Sequence, residues 1–284
     1  MGRRNSLSDT MTAAAGSLTT NRATQTDHCI HAGVDLGTAH IAIVALNDAA
    51  DPIASEYEES AVVRDGVVSD FVGSCQILGK LKARLEQRIG NTLTSAHGAY
   101  PPGIGRAEVM TVRHIIESID LDCGGLIDEP SAANTVLGIQ NGAIVDVGGG
   151  TTGIAVIQES EVVHTIDEPT GGHHLSLVLA GRLGTSLETA EKYKKDVSRY
   201  REIVPVVQPV IEKIATIISH AIENYPVDQI HLVGGSVMLP GFSHIVEEST
   251  GITATVPPHA FLVTPLGIAR AAHYTHAHTP AIQS

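Results

Sequence analysis

The chain has 284 residues, of which 43% are hydrophobic and 17% charged, and its formal net charge is −13. That length and apolar content suffice for two domains with cores of their own, while the acidic balance argues against nucleic acid or an anionic membrane as the main partner. With no Trp and three Phe, packing must rest on Ile, Val, Leu and Ala. Cys29, Cys75 and Cys123 lie far apart without a CxxC pair. Their spacing reads as reduced, buried thiols in a cytosolic protein, with neither a disulfide framework nor a zinc site indicated.

Residues 1–27 are rich in Ser, Thr and Ala and lack the apolar core of a secretory signal, so they are expected to form a disordered tail. Alternation at Ile30, Ala32, Val34 and Leu36 predicts a strand, and Ile41–Leu46 a return strand after a Gly37–Thr38 turn. Ala61–Phe71 reads as a strand and turn leading into a helix. Ile77, Leu81, Leu85 and Ile89 then follow at helical spacing. A strand at Thr94–Tyr100, a helix at Arg106–Ser118, a short strand at Gly124–Ile127 and a helix at Ser131–Leu137 follow. Ala143–Val147 and Ile154–Ile157 frame a second hairpin, and Glu161–Ile166 is a further strand. Gly171–Gly172 opens a helix to Leu183, Leu187–Asp196 is a charged helix, and Val206–Tyr225 is strongly amphipathic. The chain closes with a strand at Gln229–Val233, a short helix around Ile245–Ser249, a strand at Thr253–Val256 and a helix at Thr264–Tyr274. No membrane span is expected, because Ile203–Ile222 is periodic in its apolar residues and holds Glu212, Lys213 and two prolines.

The hairpin AIVDVGGGTTG (Ala143–Gly153) is the most informative stretch. Gly148, Gly149 and Gly150 free consecutive backbone N–H groups to form an anion-binding concavity, and Asp146 beside it can hold hydrated Mg²⁺. The pattern recurs: GVDLGTAHIAIVAL stands about 110 residues earlier, with Asp35 in the place of Asp146. A duplicated domain is the expectation, with two hairpins presenting Asp35 and Asp146 to one cleft. Taken singly, Asp35 and Glu129 are better explained as turn or cap residues and Glu191 and Lys194 as solvated helix charges, and Thr151 can be a turn filler.

Five motifs occur in order: VDLGT (Val34–Thr38), DEPSAAN (Asp128–Asn134), VDVGGGTT (Val145–Thr152), AEKYK (Ala190–Lys194) and HLVGGSVMLPG (His231–Gly241). Together they resemble the actin-like ATPase superfamily, which includes DnaK-type chaperones, and within it the ethanolamine-utilisation EutJ family. The resemblance implies an α/β fold of two duplicated ribonuclease-H-like halves with reduced accessory subdomains. The halves would span residues 28–142 plus a helix over 264–275, and residues 143–263, with a flexible tail over 276–284. It implies ATP or ADP with Mg²⁺ in the cleft between them, the metal being held through water by Asp35 and Asp146. Gly37, Thr38, Gly148, Gly149, Gly150 and Thr151 would take the phosphates, and Glu129 would orient the attacking water. Glu191 and Lys194 resemble the ribose contacts, and Gly234, Gly235 and Ser236 the adenosine loop.

The lysine that DnaK-type proteins carry in the first lobe has no evident counterpart here. The resemblance therefore implies nucleotide binding, with at most a weak Mg-dependent ATPase. It further implies a cytoplasmic, chaperone-like accessory protein, with ethanolamine ammonia-lyase or microcompartment components as partners and association with a microcompartment. A small-molecule kinase or phosphatase of the same superfamily, and a non-polymerising structural adaptor, are the alternative functions.

Overall fold

The computed structural model describes residues 6–19, 29–64 and 66–278. The disorder expected of residues 1–5 and 20–27 and the tail expected over 279–284 lie outside the described residues. The chain divides into two compact units: Met1–Leu137 together with Leu262–Ser284, and Gly138–Phe261.

The first unit runs α1 (Leu7–Gly16), β1 (His31–Leu36), β2 (His40–Leu46), β3 (Pro52–Glu59), β4 (Val63–Arg64), β5 (Val67–Val68), α2 (Phe71–Ile89), β6 (Ser95–Tyr100), α3 (Arg106–Glu117), β7 (Asp122–Asp128) and α4 (Glu129–Leu137). The second contains β8 (Gly142–Val147), β9 (Thr152–Gln158), β10 (Glu161–Glu168), α5 (Gly172–Leu183), α6 (Leu187–Lys195), α7 (Tyr200–Ile222), β11 (Gln229–Val233), α8 (Phe242–Thr250) and β12 (Thr253–Thr255). Helix α9 (Val263–His278) belongs to the first unit again.

Each unit is built on a five-stranded sheet of the same topology, β3-β2-β1-β6-β7 and β10-β9-β8-β11-β12. In both, the opening hairpins are antiparallel and the last two strands join in parallel. The duplicated α/β fold implied by the motifs is therefore present. Strands β2 and β9 are buried along both faces except at one end of each, which explains their near-continuous Ile, Val and Ala runs rather than clean alternation. Helix α2 lays Leu78, Leu81, Leu85 and Ile89 on the first sheet. Asp70 caps its N-terminus through the Gly73 N–H, and Gly90 ends it in the left-handed conformation. Between β3 and α2 the described residues form only the two-residue pairing of β4 with β5.

Several expectations need correction. Residues 7–16, read as part of a disordered tail, form α1. Ser6 and Asp9 close a capping box at its start, and Met11 and Ala14 are buried. Ser55 N–H donates to the Ser17 carbonyl at 3.1 Å, and Arg88 donates to the same carbonyl at 2.6 Å. Alanine-rich sequence is polar enough on average to resemble a tail, yet it is also the best helix former. Strand β3 was not anticipated; its alternation begins only after a fully buried first half.

Helix α7 starts at Tyr200 rather than Val206. Its internal Pro205 and Pro209 both lie on the exposed side, where a missing backbone donor is solvated. By length and composition α7 could cross a bilayer, but Ile203, Val207, Ile211, Ile214 and Ile218 form the centre of the second unit's core. Cys29 is exposed, and Cys75 and Cys123 are half-buried, so the thiols are not the buried set expected. Helix α9 extends to His278, past the expected start of the tail.

Candidate functional site

In the second unit, Asp146 stands one residue before the end of β8, beside the start of the turn at residues 148–151. Its neighbour β11 runs parallel, pairing Val233 with Asp146, so Gly234 emerges next to the carboxylate. Gly234 has φ +93°, and a β-carbon there would lie 2.4 Å from Asp146 Oδ1 and 2.6 Å from the Val147 carbonyl oxygen. Only glycine fits, both for the backbone conformation and for the approach.

The turn itself is held by its first carbonyl. Gly148 N–H donates to Thr151 O at 3.0 Å, closing the hairpin. Gly148 O accepts from the Gly172 N–H at 2.9 Å and from the Ser236 hydroxyl at 2.7 Å. His173 N–H donates to Gly149 O at 2.7 Å. The carbonyls of Gly148 and Gly149 are thus tied to the N-terminus of α5 and to the β11 loop. Among the described residues, the N–H groups of Gly149 and Gly150 donate to no protein group. A turn with its carbonyls so engaged and its amides left over can receive anionic oxygens. At Gly171 a β-carbon would lie 2.9 Å from Gly148 O and from Thr151 N, so the α5 N-terminus can approach only as glycine.

Glu191 and Lys194 sit on one face of α6, three residues apart. Lys194 Nζ donates to Glu191 Oε2 at 2.7 Å, Gly172 O at 2.8 Å and Ser176 Oγ at 2.9 Å. These bonds use all three donors of the ammonium. Ser176 also donates to Glu191, and Lys195 lies 3.5 Å from Glu191 Oε1. Burial alone would raise the Glu191 carboxyl, but the Lys194 charge and the hydrogen bonds of Lys194 and Ser176 hold it below the usual carboxylate range. Burial draws the Lys194 ammonium downward against the opposing pull of Glu191.

The structure therefore brings Asp146, Gly148, Gly149, Gly150, Thr151, Glu191, Lys194, Gly234, Gly235 and Ser236 into one connected cluster. Sequence reasoning took Gly171 and Gly172 only as a helix start and overlooked Ser176. The GG pair beside a helix N-terminus, with a serine one turn later, was the available signal.

The remaining candidates belong to the first unit. Asp35 occupies in β1 the place of Asp146 in β8, pairing with Ala42 across the hairpin, and is buried. At Gly37 a β-carbon would lie 2.9 Å from the His40 carbonyl, so Gly37–Thr38 forms a tight turn. Glu129 opens α4, whose start is capped by Asp128 accepting the Ser131 N–H at 2.9 Å. Since β1, β6 and β7 are parallel neighbours, Asp35 and Glu129 lie along the same carboxyl edge, two strands apart. That edge is where ligands bind in α/β sheets.

Residues 134–266 match the family model described as type IV pilus assembly protein PilM. The ethanolamine utilization protein EutJ of Salmonella typhimurium is 39% identical over 238 residues, 84% of each chain. The crystal structure of EutJ from Carboxydothermus hydrogenoformans superposes with a TM-score of 0.88 at 42% identity, covering 93% of this chain and 97% of that one. MreB5 of Spiroplasma citri bound to AMPPNP shares the fold at 17% identity, with a TM-score of 0.71 over 86% of this chain and 95% of its own. With the motif cluster, the duplicated sheets and that identity across most of its length, the chain belongs to the EutJ family of ethanolamine utilization proteins.

Proposed function

We propose that this chain is a nucleotide-dependent accessory protein of ethanolamine utilisation, binding ATP or ADP with Mg²⁺. The observation that carries the reading is the Gly148–Thr151 turn, whose carbonyls are tied inward while the Gly149 and Gly150 amides are left to meet phosphate oxygens. The AMPPNP bound to MreB5, a protein of the same fold, supports the same assignment. Asp146, wedged against Gly234 at the mouth of the turn, is an oxygen donor of the type Mg²⁺ takes through water, and Asp35 is its topological equivalent. When bound, Mg²⁺ would neutralise phosphate charge.

Gly37 and Thr38 would serve phosphate from the first unit's hairpin, Glu129 would orient a water, and Gly234–Ser236 would line the adenosine. Glu191 would take the ribose. Lys194 has no donor left for a ribose hydroxyl, so it acts by holding Glu191 and the Gly172 carbonyl in place. Turnover is slow or absent, and the work is conformational, with ATP and ADP favouring different states.

The partner would be ethanolamine ammonia-lyase, which the protein would protect or reactivate as a chaperone, or a component of a cytoplasmic microcompartment. Calorimetry with Mg-ATP tests the core of the reading. Saturable heat from the native chain, lost in Asp146→Ala, is expected; no heat from the native chain would overturn it. Co-purification with ethanolamine ammonia-lyase or shell proteins in ATP against ADP tests the partner separately.

A further inference from the structure

At the amino end of β1, far along the strand from Asp35, three chemically different donors converge. Cys29 precedes the strand with an exposed thiol, and His31 begins it as a buried imidazole. Asp48 stands in the turn between β2 and β3. Their ligating atoms all lie within 4.8 Å of one another, and His31 Nε2 is 3.3 Å from Asp48 Oδ1. A tetrahedral zinc with ordinary Zn–S, Zn–N and Zn–O bonds places its ligand atoms about 3.4–3.6 Å apart. One edge of such a site is therefore already set, and the thiol needs only about 1 Å of closure.

The surroundings are built as a supporting shell. Asn47 Oδ1 accepts the N–H groups of Ala49 and Asp51 at 3.0 and 2.9 Å, fixing the turn that carries Asp48. His273 of α9 donates Nε2–H to the Asp48 carbonyl at 2.9 Å. The same ring meets His31 edge-on, with centroids 4.8 Å apart and planes at 83°. Its Nδ1 is buried without a hydrogen-bond partner among the described residues, which marks a place wanting a further polar occupant. A cavity of about 370 Å³, with Cys29, His31, His97 and Thr275 on its wall, gives access and room for a fourth ligand such as water.

We propose that Cys29, His31 and Asp48 form a binding site for a divalent transition-metal ion of the zinc class. The thiolate, imidazole and carboxylate set suits zinc or cobalt rather than Mg²⁺ or Ca²⁺, which take oxygen donors. Bound there, the metal clamps the entry of the chain into β1 to the β2–β3 turn. Every residue involved belongs to the first unit, and the site stands or falls independently of nucleotide binding.

Cobalt(II) titration of the full-length, chelator-treated, reduced protein tests this. One equivalent should bind with a thiolate-to-cobalt charge-transfer band, displaceable by zinc. Cys29→Ser should abolish the band, and Asp48→Asn should weaken cobalt affinity at least tenfold; both side chains are exposed, so circular dichroism and the melting temperature of the metal-free variants should match the native chain. His31→Gln should also lose binding. Absence of a charge-transfer band in the native protein would overturn the proposal. So would a band unchanged in Cys29→Ser, which would place the metal on Cys75 or Cys123, or binding that survives both Cys29→Ser and Asp48→Asn, which would place it on other histidines.

Discussion

Gly234 presses its Cα against the carboxylate of Asp146, leaving 2.4 Å between Oδ1 and the position a β-carbon would take. The contact locks the acid at the mouth of the Gly148–Thr151 turn, and Gly234 can make it because its φ of +93° is open to glycine. Gly234→Ala should strain the backbone and displace Asp146 together. Nucleotide affinity should fall at least tenfold, about 1.4 kcal/mol, and the melting temperature should drop as well. Calorimetry with Mg-ATP and a thermal scan read both. Unchanged affinity in a folded variant would remove the Asp146–Gly234 contact from the binding site.

Glu191 connects stability to pH. Its carboxyl is held below the ordinary range in the folded chain, despite burial, by Lys194 and by hydrogen bonds. A depressed carboxylate contributes stability above its unfolded pKa, about 4.3 for glutamate, and that contribution is lost as pH falls through the folded value. The native chain should therefore exceed Glu191→Gln in stability at neutral pH, with the difference closing below about pH 4. Denaturant unfolding across pH 3–7 measures it. A difference constant with pH would mean the variant acts through packing alone.

Helix α1 is anchored chiefly by Met11, which is fully buried, and by the Ser17 carbonyl bound by Arg88 and Ser55. Truncating a buried Met to Ala costs about 2–5 kcal/mol in a core. For a ten-residue helix packed on the edge strand β3 the loss should appear as local release rather than global unfolding. Met11→Ala should speed hydrogen exchange and proteolysis within residues 7–16 while protection in β1 and β6 persists. Uniform destabilisation of the first unit would instead make α1 part of its cooperative core.

Helix α9 meets α4 at Gly267, where a β-carbon would lie 1.9 Å from the Ala132 carbonyl oxygen. Thr135 Oγ1 donates to Gly267 O at 3.2 Å, and Arg270 donates to Thr135 O at 3.2 Å. Because the clash is with backbone, no side chain can yield. Gly267→Ala should destabilise the first unit by at least the 1–3 kcal/mol typical of overpacking, about 3 kcal/mol being our expectation. Thermal or denaturant unfolding checks this, and a loss below 0.5 kcal/mol, about the scatter of a neutral surface change, would contradict it.

Much of the architecture was legible from short stretches. The strand–Asp–Gly/Thr–strand repeat at Val34 and Val145 announces itself because hairpin turns demand glycine and buried strands demand Ile and Val within a few residues. Strand β3 escaped notice because its first four residues are all buried, which removes the alternation that marks a half-buried strand. Helix α1 escaped because its support comes from Arg88 and Ser55, dozens of residues away. The cysteine spacing likewise carries no sign of Cys29, His31 and Asp48 meeting, since the β2–β3 turn folds Asp48 back beside the start of β1.

By itself the sequence determined the duplication, the acids at the hairpin ends and the glycines of the turns that follow them, because each depends on residues adjacent in the chain. Tertiary structure alone decided how those residues are held. Lys194 spends its three donors on Glu191, Ser176 and Gly172, and Gly172 and Ser236 together bind the carbonyl of Gly148. Those bonds join helix α6, the start of α5 and the loop after β11 to one turn. Hydrogen bonds between segments brought together only by packing leave no local pattern in the sequence, and among the described residues they engage the carbonyls of Gly148 and Gly149 while the Gly149 and Gly150 amides meet no protein acceptor.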